Sequence, residues 1–137
     1  MEIILDVQGF RGPDNRFIVK ELASITIQHE IDNIEELSYT LFQPPYHWKV
    51  LPLKEVLNYL TNNKKIIYVK GIEKKLWIQN LIDCNNKIVI DLENFNCPSL
   101  KSMKICNNHF CNYHYCLSDL CALENVKNLK DWFVSTQ

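Results

Sequence analysis

The sequence predicts an α/β domain: a mixed sheet with helices on both faces, in which a three-stranded antiparallel meander is followed by parallel strands. Three observations predict it. Three extended runs rich in β-branched residues open the chain, separated only by turn or loop chemistry. Two helical stripes then alternate with two short apolar runs, the pattern of buried parallel strands joined by crossovers. An amphipathic stripe closes the chain. The 137 residues read as one domain, 1–137, because no linker, low-complexity tract or solenoid repeat divides them.

The first run, EIILDV, suits a buried strand, and GFRGPDN after it supplies turn residues for a hairpin. FIVKELASITI continues as the second strand. Strict alternation puts Ile18, Lys20, Leu22, Ser24 and Thr26 on one face, and Val19, Glu21, Ala23, Ile25 and Ile27 on the other. Glu21 is thus a carboxylate on an otherwise apolar face. After the acidic loop HEIDNIEE, LSYTLFQ reads as a third strand, stopped by Pro44 and Pro45, which cannot continue a ladder. LKEVLNYL carries Leu53, Val56, Leu57 and Leu60 at helical spacing, and KKIIYVKG is the next strand. IEKKLWIQNLI is a second helix through Ile72, Leu76, Trp77 and Leu81, and KIVIDLENF a further buried strand. From about Asp119 to Phe133, the residues Leu120, Leu123, Val126, Leu129, Trp132 and Phe133 form the stripe of the closing helix.

Fifteen Lys and Arg stand against sixteen Asp and Glu, so no global basic field drives nucleic-acid binding and any such binding needs a local patch. The first residues show neither a basic n-region nor an extended apolar segment, and no run of about 18 apolar residues occurs. The expectation is an intracellular protein, cytoplasmic or nuclear, with no membrane partner. In such a reducing compartment cysteines persist as thiols, for metal ligation or burial.

Four of the six cysteines and two of the four histidines fall between Cys106 and Cys121. They form two overlapping copies of C-x2-H-x6-C: Cys106, His109, Cys116 and Cys111, His114, Cys121. Thiolate and imidazole are the ligands of tetrahedral zinc, and a structural site takes four, so a fourth must come from elsewhere in the fold. Glu21 is the candidate. The second copy is preferred because Cys121 falls in the first turn of the last helix, where the helix dipole favours a thiolate; Cys106 and Cys116 remain alternative sulfur donors. The competing reading is that these are small buried side chains, as free cysteines commonly are. Cys84 and Cys97, away from the cluster, read as core.

The pair His114-x4-Asp119 with Asp6 in the first strand resembles the DEDDh family of 3′-5′ exonucleases, whose domain has the RNase H-like fold. That resemblance implies two divalent ions, Mg2+ or Mn2+, held by a D-x-E pair on the first strand, an aspartate on a middle helix and the H-x4-D pair. The sequence departs from it at two places. Asp6-Val7-Gln8 has glutamine for the second carboxylate, and IEKKLW has Lys74 and Lys75 where the aspartate belongs. Lysine repels the ions that carboxylates hold. No exonuclease catalysis is therefore expected; the alternative is a divergent metal-dependent nuclease using Asp6, Asp91, His114 and Asp119. The chain also resembles the Maelstrom domain, which has that fold without the catalytic set. The residues are FIVKEL with Glu21, CNYH with Cys111 and His114, and CALEN with Cys121. This resemblance implies a Glu-Cys-His-Cys site for structural Zn2+ and a role in a nucleic-acid pathway such as transposon silencing, through RNA, single-stranded nucleic acid or a protein partner.

Lys64, Lys65, Lys70, Lys74 and Lys75 surround the fourth strand and the helix after it, with Tyr68 and Trp77 among them. Cations interleaved with rings suit single-stranded nucleic acid, and Lys70 and Lys74 are expected to be solvated. Lysines on strand ends are also ordinary surface, and Trp77 falls on a core stripe. The segment PPYHW, Pro44 to Trp48, is a second partner-facing candidate.

Overall fold

The computed structural model describes residues 2–12, 15–27, 35–42, 50–82, 86–107 and 121–136, with side chains omitted at 50–52 and 104–107. The strands are β1 (Glu2–Arg11), β2 (Phe17–Ile27), β3 (Leu37–Leu41), β4 (Ile66–Val69) and β5 (Ile88–Asp91). The helices are α1 (Val50–Thr61), α2 (Ile72–Leu81), α3 (Leu100–Asn107) and α4 (Ala122–Ser135), with a 3-10 turn at Leu92–Phe95.

The strands form one mixed five-stranded sheet in the order β3-β2-β1-β4-β5. β1 pairs antiparallel with β2, and β2 with β3; β1 pairs parallel with β4, and β4 with β5. Helices cover both faces. On one, Leu53 and Leu57 of α1 and Ile78 of α2 pack on Ile3, Leu5, Val7, Leu22, Ile67 and Val69. On the other, Met103 of α3 and Ala122, Val126 and Leu129 of α4 pack on Ile4, Ala23, Ile25 and Ile27. Leu57, Ile67 and Ile78 are wholly excluded from solvent, so truncating any one to alanine costs about 2–5 kcal/mol. Among the described residues no helix is long and apolar enough to cross a membrane.

Several details differ from the sequence reading. β1 runs on to Arg11, so Gly9 lies inside the strand and the reversal is confined to the residues after Gly12. The ladder slips between Gln8 and Gly9, which face Glu21 and Val19, leaving Lys20 without a partner residue in β1. This bulge breaks the strict alternation. Val19 joins Leu22 on the α1/α2 face, while Glu21 stays with Ala23, Ile25 and Ile27 on the α4 face. A Cβ on Gly9 would lie 1.9 Å from the Ile18 carbonyl oxygen, so the bulge requires glycine there. β5 is an edge strand with Ile88 exposed and is only half enclosed. The strand expected over KIVIDLENF stops at Asp91 and its remainder, Leu92–Phe95, forms the 3-10 turn, while α3 adds a helix that apolar periodicity did not predict. α4 starts at Ala122 rather than near Asp119; Asp119 and Leu120 lie outside the described residues.

Candidate functional site

The ends of the parallel strands bring the chemistry together. Extending the pairing of Ile4 with Tyr68 by two residues sets Asp6 level with Lys70, just past the end of β4. Asp6 is nevertheless buried, at 1% exposure, and each carboxylate oxygen is engaged. Lys74, in the first turn of α2, reaches round the end of β4 and donates to Oδ1 at 2.5 Å. Gln8 Nε2, two residues along β1, and Asn125 Nδ2 of α4 both donate to Oδ2 at 2.9 Å. The carboxylate is thus neutralised by the protein's own ammonium and solvated by two amides.

Asp91 ends β5 and is also buried. Its Oδ1 accepts from the backbone amides of Gly71 at 2.8 Å and Glu93 at 3.0 Å. Gly71 is the N-cap of α2 with φ of 105°, a backbone shape that glycine adopts freely. Asp91 therefore anchors the start of the helix that carries Lys74, and both its bonds go to the backbone it orders.

A second group assembles at the N-terminus of α4. Glu21 Oε1 accepts from the Ala122 backbone amide at 3.1 Å and from the Tyr39 hydroxyl at 2.9 Å. Cys121, fully buried, is the N-cap, and its Sγ accepts from the Glu124 amide at 3.5 Å. A carboxylate and a sulfur from positions one hundred residues apart in the sequence thus meet at one helix terminus, where orphan amides and the helix dipole favour negative charge. The donor chemistry fits zinc, which takes thiolate with nitrogen or oxygen ligands, better than Mg2+, which avoids sulfur. Of the other named ligands, Cys111 and His114 lie outside the described residues, as do His109, Cys116 and, for its side chain, Cys106. Among the described residues no group of three or more His, Cys, Asp or Glu side chains is placed to hold a metal.

The five lysines divide between two places. Lys64 and Lys65 precede β4 while Lys70, Lys74 and Lys75 follow it, a separation of roughly 20 Å at strand rise. Lys70 and Lys74 are not the solvated groups expected. Lys70 retains 9% side-chain exposure and pairs with Glu93 at 3.0 Å, and Lys74 retains 24% while holding Asp6. Their charges are drawn inward because each has a carboxylate within reach. Tyr68 is no stacking platform either: it is buried, its ring lies 4.8 Å from Phe133, and its hydroxyl donates to Glu2 at 2.5 Å. Burial first, and Glu2 second, hold its hydroxyl well above the usual phenol range. Trp77 is half-buried with its ring edge-to-face on Phe17. Cys97 packs against the α3/α4 core, and burial pushes its thiol up to about 11, an increase opposed by the nearby Lys70. Cys84, His114, Asp119 and the PPYHW segment lie outside the described residues.

Three participants escaped the sequence reading. Asn125 carried a signal, being an amide on the buried stripe of a helix. Arg11 and Phe17 carried none, Arg11 because the hairpin turn was placed too early and Phe17 because alternation does not show the bulge that sets its face. Compared with protein-family models and with curated proteins, the chain matches none.

Proposed function

We propose that the chain is a zinc-stabilised domain of RNase H-like, Maelstrom-like type that binds single-stranded nucleic acid, RNA foremost, without exonuclease catalysis. The observation that carries the reading is the state of Asp6. A two-metal nuclease needs carboxylates open to divalent ions, and here the first-strand carboxylate is buried against Lys74, Gln8 and Asn125. An ammonium at 2.5 Å opposes entry of a second cation at the same oxygen. The strand order β3-β2-β1-β4-β5, with its antiparallel and parallel halves, is compatible with an RNase H-like topology.

In this reading Glu21 and Cys121 hold zinc together with Cys111 and His114. The ion would supply cross-linking of β2 to α4 rather than reactivity. Glu21 positions the helix N-terminus, Tyr39 orients the Glu21 carboxylate, and the Glu124 amide supports negative charge on Cys121. Binding then belongs to the basic hairpin and α2 end of the sheet.

The test is incubation of the purified protein with end-labelled single-stranded RNA and DNA in Mg2+ or Mn2+. Retention of intact strands by the protein is expected. Single-nucleotide ladders that disappear in Asp6→Ala would overturn the reading.

A further inference from the structure

We propose that the cleft between the β1–β2 hairpin and the first turns of α2 takes one unpaired base of a single-stranded nucleic acid, whose phosphates run over the hairpin. This rests on the nucleic-acid reading given above and names the site that performs it.

The cleft has a volume of about 150 Å³ and is lined, among the described residues, by Arg11, Phe17, Glu73, Lys74 and Trp77. Pockets for whole drug-sized ligands run to about 300–1,000 Å³, so the space suits one planar ring. The walls are aromatic. Phe17 and Trp77 cross at 84° with centroids 5.6 Å apart, and both stay partly exposed, so they can present a face and an edge to an inserted base. The bulge at Lys20 makes this possible by turning the hairpin so that Phe17 faces α2 rather than α4.

The rim selects the ligand's charge. Among the described lining residues Arg11 and Lys74 stand beside Glu73, and Arg16, Lys20 and Lys75 are close neighbours of lining residues along the sequence, a local concentration of basic residues in a chain whose formal net charge is -1. Lys74 is committed to Asp6, so the back wall is a neutral pair. Arg11 is half-exposed, stands 5.7 Å over the Phe17 ring and lies 3.7 Å from Glu73. An exposed ion pair of that kind holds its partner weakly, and the guanidinium fork suits a phosphate. Cationic ligands, which aromatic walls can also attract, are disfavoured by the Arg11 guanidinium in the lining.

The experiment is fluorescence anisotropy at low salt with labelled oligo(U) and oligo(dT) strands of roughly ten nucleotides, against abasic strands of the same length. The abasic strands carry the same phosphates. The wild-type protein is expected to bind the intact strands about tenfold or more tightly than the abasic ones, the scale of one aromatic-base stack. Arg11→Gln, at an exposed position, should weaken binding to intact and abasic strands alike, and Trp77→Leu should erase most of the difference between them. Equal affinity of the wild-type protein for intact and abasic strands would overturn the cleft assignment while leaving nucleic-acid binding in place. Absence of binding to every strand by a folded protein would remove both.

Discussion

Replacing Lys74 by methionine keeps the length of the side chain and removes its charge. The Asp6 carboxylate then stays buried, still bonded by Gln8 and Asn125 at 2.9 Å, but without a counter-charge. Breaking a fully buried ion pair in this way costs about 3–5 kcal/mol. Asp6 has 0% side-chain exposure, but Lys74 keeps 24%, which lets water partly screen the pair, so the expected loss is about 2–3 kcal/mol. At about 3–5 °C per kcal/mol for a domain of this size, the melting temperature falls by roughly 6–15 °C. Asp6→Asn removes the charge at its source and lets Lys74 turn to solvent, for a loss of about 1–2 kcal/mol. The double variant Asp6→Asn/Lys74→Met should fall short of the summed single losses by about 1 kcal/mol or more, because the two changes remove one shared interaction. Urea unfolding of the four proteins at neutral pH, with unchanged denaturant slopes, measures all three differences. A Lys74→Met variant within about 0.5 kcal/mol of the parent, or strictly additive losses, would refute the account of this pair.

Purified protein should carry about one zinc per chain by elemental analysis. Glu21→Gln and Cys121→Ser should each lower that content, and chelation should cost several kcal/mol of stability; a metal-free preparation that melts like the parent would contradict the site. Asn128 is buried at 1% exposure with neither side-chain amide atom bonded among the described residues. Asn128→Leu should therefore stabilise the fold by about 1–3 kcal/mol, read from the same urea curves, and a loss instead would show that the amide serves a purpose. The Cys97 thiol, pushed up to about 11, should be alkylated roughly a hundredfold more slowly near pH 8 than an ordinary thiol, with mass spectrometry reporting the rate. Because its folded value is raised, its contribution to stability is complete below the ordinary thiol value of about 8.5 and is lost as pH climbs toward 11.

The alternation of strands and helices was legible because each element carries its own apolar period, two or 3.6, over enough residues to be read. Glu21 was legible for a related reason: one charge on an apolar face asks for a partner. What escaped was information held by contacts between distant residues. Lys74 looks like any surface lysine until Asp6 arrives from 68 positions away, and Lys70 likewise until Glu93 does. A double reversal to glutamate at these positions would thus set new carboxylates beside Asp6 and Glu93, so it tests the fold more than a surface. The start of α3 was missed although Ser99 caps it, its Oγ accepting from the Ser102 amide at 3.2 Å; the helix has only two turns and too few apolar repeats to register a period. The bulge could not be read from alternation, since counting by twos assumes that no residue lacks a partner.

Lys20, skipped in the pairing with β1, acts as a parity switch. Odd-numbered residues of β2 turn to the α1/α2 layer on its hairpin side, as Phe17 and Val19 do, and to the α4 layer on its other side, as Ala23, Ile25 and Ile27 do, while Leu22 keeps the body of the strand in contact with the α1/α2 layer as well. Excising the one residue would restore a regular ladder and swing Phe17 and Val19 to the opposite side, with Glu21 and everything below it left in register. The two halves of the strand can therefore be revised independently: the length of the tip adjusts what the outer cleft presents, and the sequence after Glu21 adjusts the union with the last helix. A single-residue insertion thereby decides which of the two helical layers the odd-numbered residues of the tip meet.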